Sequence, residues 1–330
     1  VVNPSNDKVD VSVVLVGLNA CRFIVDCIES LHAAQWPDCR YEVIYVDNGS
    51  KDDSMAQVGT RFPDVRLIAN PDNRGYCPAA NQGARIARGD YLYFLNDDTL
   101  IESDAIARAL RTLKAHPHAG VVGSRLLNLD RSDQWSGRRF PTIWSGILGR
   151  RSWLAKHFPN AAPLADYLCQ KEVAAGEPFE ADWVSAAALL VSVRDFWAVG
   201  GFAEDYYYWH EAVFCDRMRD AGRKVLLDPQ SKIVHYEGKG SGKRNYPVLR
   251  WHILNFHRGA YRCFCEHSRV HRLNPLRWIV GAGLAARAGL SGEDCYYRRD
   301  LAGLRFLFLD VAYWVDRQGR EETITPTPGT

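Results

Sequence analysis

Residues Tyr91-Leu92-Tyr93-Phe94-Leu95-Asn96-Asp97-Asp98-Thr99 run an apolar, strand-like segment straight into two adjacent carboxylates. Carboxylates at the C-terminal end of a strand stand where open α/β sheets bind ligands. One or two of them, together with substrate phosphates, are the usual seat of magnesium or manganese. The competing reading is a solvated Asp-Asp turn that caps the next helix. Further groups of the same chemical kind are Asp47-Asn48-Gly49-Ser50, Asn73-Arg74-Gly75, Asp182-Trp183, Glu211 and His235.

The elements that must position them can be read from hydrophobic period. Val11-Ser12-Val13-Val14-Leu15-Val16 reads as a buried strand, and Phe23, Ile24, Cys27, Ile28 and Leu31 come after it at helical spacing. Glu42-Val43-Ile44-Tyr45-Val46 is a second strand, ending in Asp47-Asn48-Gly49-Ser50, and Val65-Arg66-Leu67-Ile68 is a third. A helix is expected from about Pro78 to Ala87, before the strand that ends in Asp97-Asp98. Strands alternating with helical patterns imply β-α-β units and a mostly parallel sheet with its polar clusters gathered along one edge.

Five segments, in order, resemble those of family 2 glycosyltransferases of the GT-A fold, and within them the rhamnosyltransferase-like branch that builds bacterial surface polysaccharides. They are Val46-Asp47-Asn48-Gly49-Ser50, Asn73-Arg74-Gly75-Tyr76 through Asn81, Ala87-Arg88-Gly89-Asp90-Tyr91, Leu95-Asn96-Asp97-Asp98-Thr99 and Val199-Gly200-Gly201-Phe202. The resemblance runs from about Val11 to His235. It implies an α/β fold with a Rossmann-like, mixed but mostly parallel sheet flanked by helices. A GT-A domain is expected over residues 1–245, with a nucleotide-binding half at about 10–125 and an acceptor half at about 126–245. Residues 246–330 would form a helical C-terminal extension.

Composition agrees. A chain of 330 residues, 47% of them hydrophobic, can bury one large core, and its net charge of +2 gives no reason to expect nucleic acid as a partner. Nine cysteines, an odd count without a Cys-x-x-Cys pair, favour reduced thiols over a disulfide framework or structural zinc. No signal-peptide pattern is read at the start. The expectation is a cytoplasmic protein, working at the inner face of the membrane if its acceptor is lipid-linked.

The resemblance also implies roles. Asp47 would contact the nucleotide base, with Asn48 and Ser50 shaping its loop, and Asn73, Arg74 and Gly75 would belong to the same donor side. The rival reading of Asp47-Asn48-Gly49 is a plain turn. Asp98 would hold Mn2+ or Mg2+, and Asp97 a ribose hydroxyl or the surroundings of the metal. His235 would reach the metal or the diphosphate, and Lys239, Lys243 and Arg244 would form a basic lid. Arg74 and Arg88 would help neutralise phosphate unless they are merely solvated. Asp182 and Trp183 would line the acceptor sugar, with burial in the core as the rival for Trp183. Asp52 and Asp53 are read as caps of the helix after them.

One segment departs from the family pattern. The family's Glu-Asp at the start of a late helix supplies the general base, but here the order is Glu211-Ala212-Val213-Phe214-Cys215-Asp216-Arg217, without the Asp and one residue shorter. Losing one residue rotates the remainder of a helix by about 100°. Either Glu211 is the base, or another residue serves, with Asp205 and Asp216 the poorer candidates, or the enzyme is impaired. Gly238 to Lys243 lacks P-loop spacing and is not read as one.

In the last quarter, helix-like spacing runs over Leu249 to Cys265, and an apolar stretch from Pro275 to Leu290 is too short to span a bilayer. Packing on the catalytic domain, a homodimer contact and a membrane interface all remain open for it. The reading reached is an inverting, metal-dependent glycosyltransferase taking a dTDP- or UDP-sugar, rhamnose by preference, to a saccharide or polyprenol-linked acceptor. The alternatives are a protein of the same fold that binds nucleotide or polysaccharide without turnover, and a nucleotidyltransferase. The latter lacks its glycine-rich basic loop, because Gly17-Leu18-Asn19-Ala20-Cys21-Arg22 stands after the first strand.

Overall fold

Val11–Gly17 (β1), Tyr41–Asp47 (β2), Arg66–Ala69 (β3) and Tyr91–Asn96 (β4) form the strands expected from the apolar runs. The structure is a computed structural model, and it describes residues 8–37, 39–140, 161–236, 246–269, 271 and 273–296. The chain divides into two compact units, Val1–Gly242 and Lys243–Thr330.

The first unit is built on a nine-stranded sheet. Its remaining strands are Thr99–Ile101 (β5), Ala119–Leu127 (β6), Phe179–Glu180 (β8), Ala188–Ser192 (β10) and Lys224–His235 (β11); Gly137–Arg138 (β7) and Trp183–Val184 (β9) make a separate pair. The order is β3-β2-β1-β4-β10-β6-β11-β5, with β8 on β11. Strands β3, β2, β1 and β4 run parallel, and β10 is antiparallel to both β4 and β6. Sheets covered by helices on both faces need near-continuous apolar strands. Leu92, Tyr93, Phe94 and Leu95 accordingly lose all exposure.

The helices of this unit are Ile24–Ala33 (α1), Ser54–Arg61 (α2), Tyr76–Ile86 (α3), Ala105–Ala115 (α4), Ala162–Tyr167 (α5), Gln170–Ala175 (α6), Val193–Ala198 (α7) and His210–Asp220 (α8). Helix α1 buries Ile24, Cys27, Ile28 and Leu31, the apolar stripe of the sequence.

Two stretches of strand are irregular. The apolar residues before His235 are the end of the twelve-residue β11, whose register against β6 shifts between Asp228 and Lys232. Pro229 lies in that shift, where its missing N–H takes no ladder bond from the sheet. The apolar run after Asp182 is broken into β9 and β10 by Ser185, Ala186 and Ala187.

The second unit contains Tyr246–Ser268 (α9) and Pro275–Tyr296 (α10), which pack on each other. A Cβ on Gly281 would lie 3.3 Å from the Tyr261 ring, so the missing side chain allows this approach. Among the described residues no helix is long and apolar enough to cross a membrane.

Candidate active site

Parallel pairing puts the ends of three strands side by side. Gly17 of β1 lies opposite Asp47 of β2, and Val16 lies opposite Asn96 of β4. Beyond β2 the chain turns back through Gly49, whose φ of +84° and approach to the Asp72 backbone leave no room for a Cβ. Asp47 Oδ2 accepts from the Ser50 N–H at 3.0 Å, while Oδ1 is buried without a hydrogen bond. Asn48 donates through Nδ2 to Asn73 Oδ1 (2.9 Å) and Gly75 O (3.1 Å). Its Oδ1 accepts from the Arg74 N–H and from Asn70 Nδ2, each at 3.2 Å. Asn48 and Asn73 therefore fasten the 70–75 loop to the end of β2. Asp47 Oδ1 is the oxygen left to take a ligand's N–H.

Asp97 and Asp98 stand at the end of β4. Burial, and next the adjacent Asp98 charge, push the Asp97 carboxyl up to about 8. Asp98 is 8% exposed. Pairing of β5 with β11 sets His235 opposite Thr99, and the Tyr236 N–H donates to Asp98 O at 2.9 Å. The same ladder leaves Asp98 Oδ1 3.2 Å from His235 Nε2.

The proton of that imidazole is fixed by Gln134, a residue with no motif around it. Gln134 Nε2 donates to His235 O (2.7 Å) and Asn128 Oδ1 (2.9 Å), which turns its Oε1 toward His235 Nδ1 at 2.8 Å. Nδ1 then carries the hydrogen, and the Nε2 lone pair faces Asn96 Nδ2 (3.3 Å) and the Asp98 carboxylate. Asp98 Oδ1 is buried with no hydrogen bond of its own. Two acceptors held this close suit a cation between them, and a histidine oriented through its other nitrogen is a common feature of metal sites. Among the described residues no group of three or more His, Cys, Asp or Glu side chains is placed to hold a metal. A magnesium or manganese ion would thus draw its other ligands from substrate phosphate and water.

A third cluster forms around the turn that precedes α8. Gly200 and Gly201 take φ of +86° and +68°, so the chain can double back after α7. Asn81 of α3 clamps this turn, donating to Phe202 O (2.9 Å) and Glu204 Oε1 (3.0 Å) and accepting from the Phe202 N–H (3.1 Å). The turn delivers Glu211 in the first turn of α8. Glu211 Oε2 is buried without a hydrogen bond, and the Tyr76 hydroxyl feels both Glu211 and Asp97. Glu211 and Asp97 thus both act on the same tyrosine.

Several expected residues land elsewhere. Arg88 donates to Glu42 Oε2 at 2.9 Å, at the start of β2 and so at the opposite end of the sheet from Asp97; the expectation that it neutralises phosphate is corrected. Trp183 is 3% exposed, donates to Arg139 O at 3.1 Å, and carries the Arg138 guanidinium 4.7 Å from its ring centroid. Its face is not open to a sugar in this structure. Asp182 accepts from the Phe140 N–H at 2.7 Å through one oxygen and from Arg219 through the other. Arg74 is solvated, 3.7 Å from Asp72. Asp52 accepts from the N–H groups of Cys21 and Ser54, tying two loops together, while Asp53, the N-cap of α2, makes no side-chain capping bond. Lys239, Lys243 and Arg244 lie outside the described residues.

With the geometry in hand, comparison with known proteins is informative. Residues 12–165 match Glycosyl transferase family 2. Over 260 residues the chain is 27% identical to an N-acetylglucosaminyl-diphospho-decaprenol L-rhamnosyltransferase of Mycobacterium tuberculosis, spanning 75% of this chain and 82% of that protein. A PGL/p-HBAD biosynthesis glycosyltransferase of Mycobacterium bovis is 28% identical over 130 residues, 38% of this chain and 50% of its own. Among solved structures, a mannosyltransferase from Pyrobaculum calidifontis in complex with GDP-Man and Mn2+ superposes with a TM-score of 0.54 at 17% identity, over 94% of this chain and 84% of that one. GalNAc-T7 with UDP, GalNAc and Mn2+ gives a TM-score of 0.54 at 16% identity, over 75% of this chain and 48% of its own. At those identities the structural likeness speaks for the fold, which is GT-A. The family match covers residues 12–165 and the rhamnosyltransferase likeness 75% of the chain, so this protein is similar to family 2 glycosyltransferases of the rhamnosyltransferase-like kind.

Proposed function

We propose that this protein is an inverting, metal-dependent glycosyltransferase that carries rhamnose from dTDP-rhamnose to a saccharide on a polyprenol diphosphate, in the building of a bacterial surface polysaccharide. The observation that carries the metal-dependent donor site is the pairing of Asp98 Oδ1 with the Nε2 lone pair of His235 at 3.2 Å. The choice of sugar and acceptor is supported by the mycobacterial rhamnosyltransferase, whose name specifies a decaprenol-linked acceptor.

In this reading Asp47 accepts from the nucleotide base, Ser50 and the Asn73-Arg74-Gly75 loop flank it, and Asp97 faces the ribose. Asp98 and His235 would hold a divalent cation. When bound, that cation stabilises the negative charge of the departing nucleoside diphosphate. Glu211 takes the proton of the acceptor hydroxyl, whose oxygen attacks the anomeric carbon from the face opposite the diphosphate and inverts it. Residues 1–245 carry this chemistry, with Lys239 offsetting diphosphate charge and Asp182 and Trp183 supporting the acceptor side from within.

The extension that contains α9 and α10 is assigned to the membrane surface on the cytoplasmic side, where a polyprenol-linked acceptor is presented. Its helix α10 exposes Trp278 (57%) and Ile279 (65%), with Leu273 just before them and Arg269 and Arg277 nearby. Apolar side chains beside arginines suit an anionic bilayer.

A second reading, donor binding without turnover, is favoured by Ala212 and Phe214, which leave Glu211 as the sole acid in the first turn of α8. Product formation decides between them. Incubation with dTDP-rhamnose, manganese and polyprenyl-diphosphate N-acetylglucosamine is expected to yield a rhamnosylated lipid with inverted anomeric configuration, read by NMR. No product from any nucleotide sugar would favour the second reading, and a retained configuration would contradict the first.

A further inference from the structure

Helix α8 opens with two polar side chains and then turns apolar, because Ala212, Val213, Phe214 and Cys215 are all buried. Its N-cap, Trp209, takes a φ of 69°, an unusual value for a tryptophan and one that persists only where the surroundings enforce it. That backbone turn places His210 under the Tyr76 ring, with centroids 5.0 Å apart, and against the edge of Phe202 at 5.5 Å and 88°. Both His210 nitrogens are buried and neither makes a hydrogen bond; Glu211 Oε2 beside them is in the same state. His210 Nδ1 and Glu211 Oε2 lie 3.4 Å apart. A histidine kept for packing would satisfy its nitrogens, since unpaired buried polar atoms are costly. These atoms are held near each other, and no other described residue uses them.

We propose that His210 is the positioning residue of the general base: its Nδ1–H holds Glu211 Oε2 and leaves Oε1 turned to the acceptor hydroxyl. The inference rests on the reading of Glu211 as base given above. Contacts of this kind are often long before substrate binds and tighten in the complex. In the transfer step the acceptor O–H bond breaks and its proton passes to Glu211 Oε1. The acceptor oxygen bonds to the anomeric carbon, and the bond from that carbon to the diphosphate oxygen breaks with its electron pair on the diphosphate. A neutral imidazole suits this role better than a charged one, because an imidazolium would weaken the carboxylate as a base. Burial holds the His210 pKa below its ordinary value, with Glu211 opposing the shift. The titratable groups that share Glu211's field are Tyr76 and Cys77 of α3 and Cys215 of α8, which are in turn influenced by Asp97, by Glu204 and Asp205, and by Asp216 and Arg219 respectively.

Two measurements test this, the first without turnover. In the full chain labelled with 15N-histidine, His210 is expected to be neutral at pH 7 with its proton on Nδ1, and its resonances are expected to move in Glu211→Gln. A proton on Nε2, or resonances indifferent to Glu211→Gln, would overturn the dyad. The second is rhamnosyl transfer from dTDP-rhamnose. His210→Phe keeps the stacking on Tyr76 but removes the donor. It is expected to lower kcat about 10- to 100-fold, with the donor KM unchanged and the acid limb of the pH profile moved upward. His210→Asn, whose amide reaches the place of Nδ1, is expected to recover more of kcat than His210→Gln, so the comparison survives if the Phe variant folds poorly. Wild-type turnover with an unaltered His210→Phe profile would overturn the inference, as would equal rescue by Asn and Gln. Absence of wild-type turnover would count against the glycosyltransfer reading, while the resonance experiment still judges the dyad.

Discussion

The Asp98 carboxylate and the His235 imidazole face each other at 3.2 Å because β5, only three residues long, pairs with the end of β11. Thr99 comes directly after Asp98 and lies opposite His235, so the ladder that closes this edge of the sheet also sets the two side chains together. Sheet geometry here is the mechanism of positioning.

Replacing Asp98 by Ala is expected to lower kcat about 10²- to 10³-fold, the loss typical of removing one group that stabilises transition-state charge. Without metal the same change is expected to leave melting nearly unchanged, because Asp98 Oδ1 makes no hydrogen bond in the fold. Calorimetry of the metal-free variant checks this. A large fall in melting temperature would mean that Asp98 serves the fold.

Gln134→Leu removes the acceptor that fixes the His235 proton on Nδ1. The expected result is a 10- to 100-fold weaker manganese dependence of donor binding, with helix and strand content intact. Titration of manganese against nucleotide binding reads it directly.

At the far end of the sheet, Glu42 sits in a structural network. Burial alone would raise its pKa, yet the Ser12 hydroxyl, the Arg88 N–H and Arg66 together hold it below the ordinary value. A depressed carboxylate contributes stability above its unfolded pKa, about 4.3, and that contribution is lost as pH falls through the folded pKa. Glu42→Gln is expected to lower stability by about 1–3 kcal/mol at pH 7. The gap to wild type should narrow below pH 4, as tracked by denaturant unfolding at both pH values.

The clamp on the Gly-Gly turn offers another test. Gly201 has a φ of +68°, and a Cβ there would fall 3.0 Å from Asn81 Oδ1. Gly201→Ala is expected to destabilise by more than about 1 kcal/mol. Because the turn delivers α8, kcat should fall while nucleotide affinity holds. Equal loss of both would mean that the turn supports the whole unit.

For the extension, Trp278→Glu with Ile279→Glu is expected to reduce sedimentation with vesicles of anionic phospholipid and to leave transfer to a water-soluble acceptor untouched. Unchanged sedimentation would remove the membrane assignment.

The sheet was legible because its strands are unbroken apolar runs, each closed by a polar cluster, and strand ends are where sequence order and space agree. That order also carries a lesson about Arg88. It precedes β4, so it belongs to the opposite edge from Asp97, which comes after β4. Trp183 was ambiguous for a different reason: an indole in the core and an indole that stacks on sugar look alike in sequence, and only burial separates them. Gln134 gave no signal at all. It stands in irregular chain between β6 and β7, and its importance comes from the β5–β11 edge closing over it. His210 was visible as a residue next to Glu211, but the enclosure by Tyr76 and Phe202 depends on a backbone turn that period and propensity do not describe.

The most direct measurement is the thermal stability of wild type, Asp98→Ala and His235→Ala with dTDP, UDP and GDP, each with and without manganese. A ligand at about a hundredfold over its Kd adds roughly 2.7 kcal/mol, well within detection. One nucleotide, expected to be dTDP, should stabilise the wild type only when manganese is present, and neither variant should respond. Stabilisation that ignores manganese, or that persists in both variants, would contradict a cation site built from Asp98 and His235.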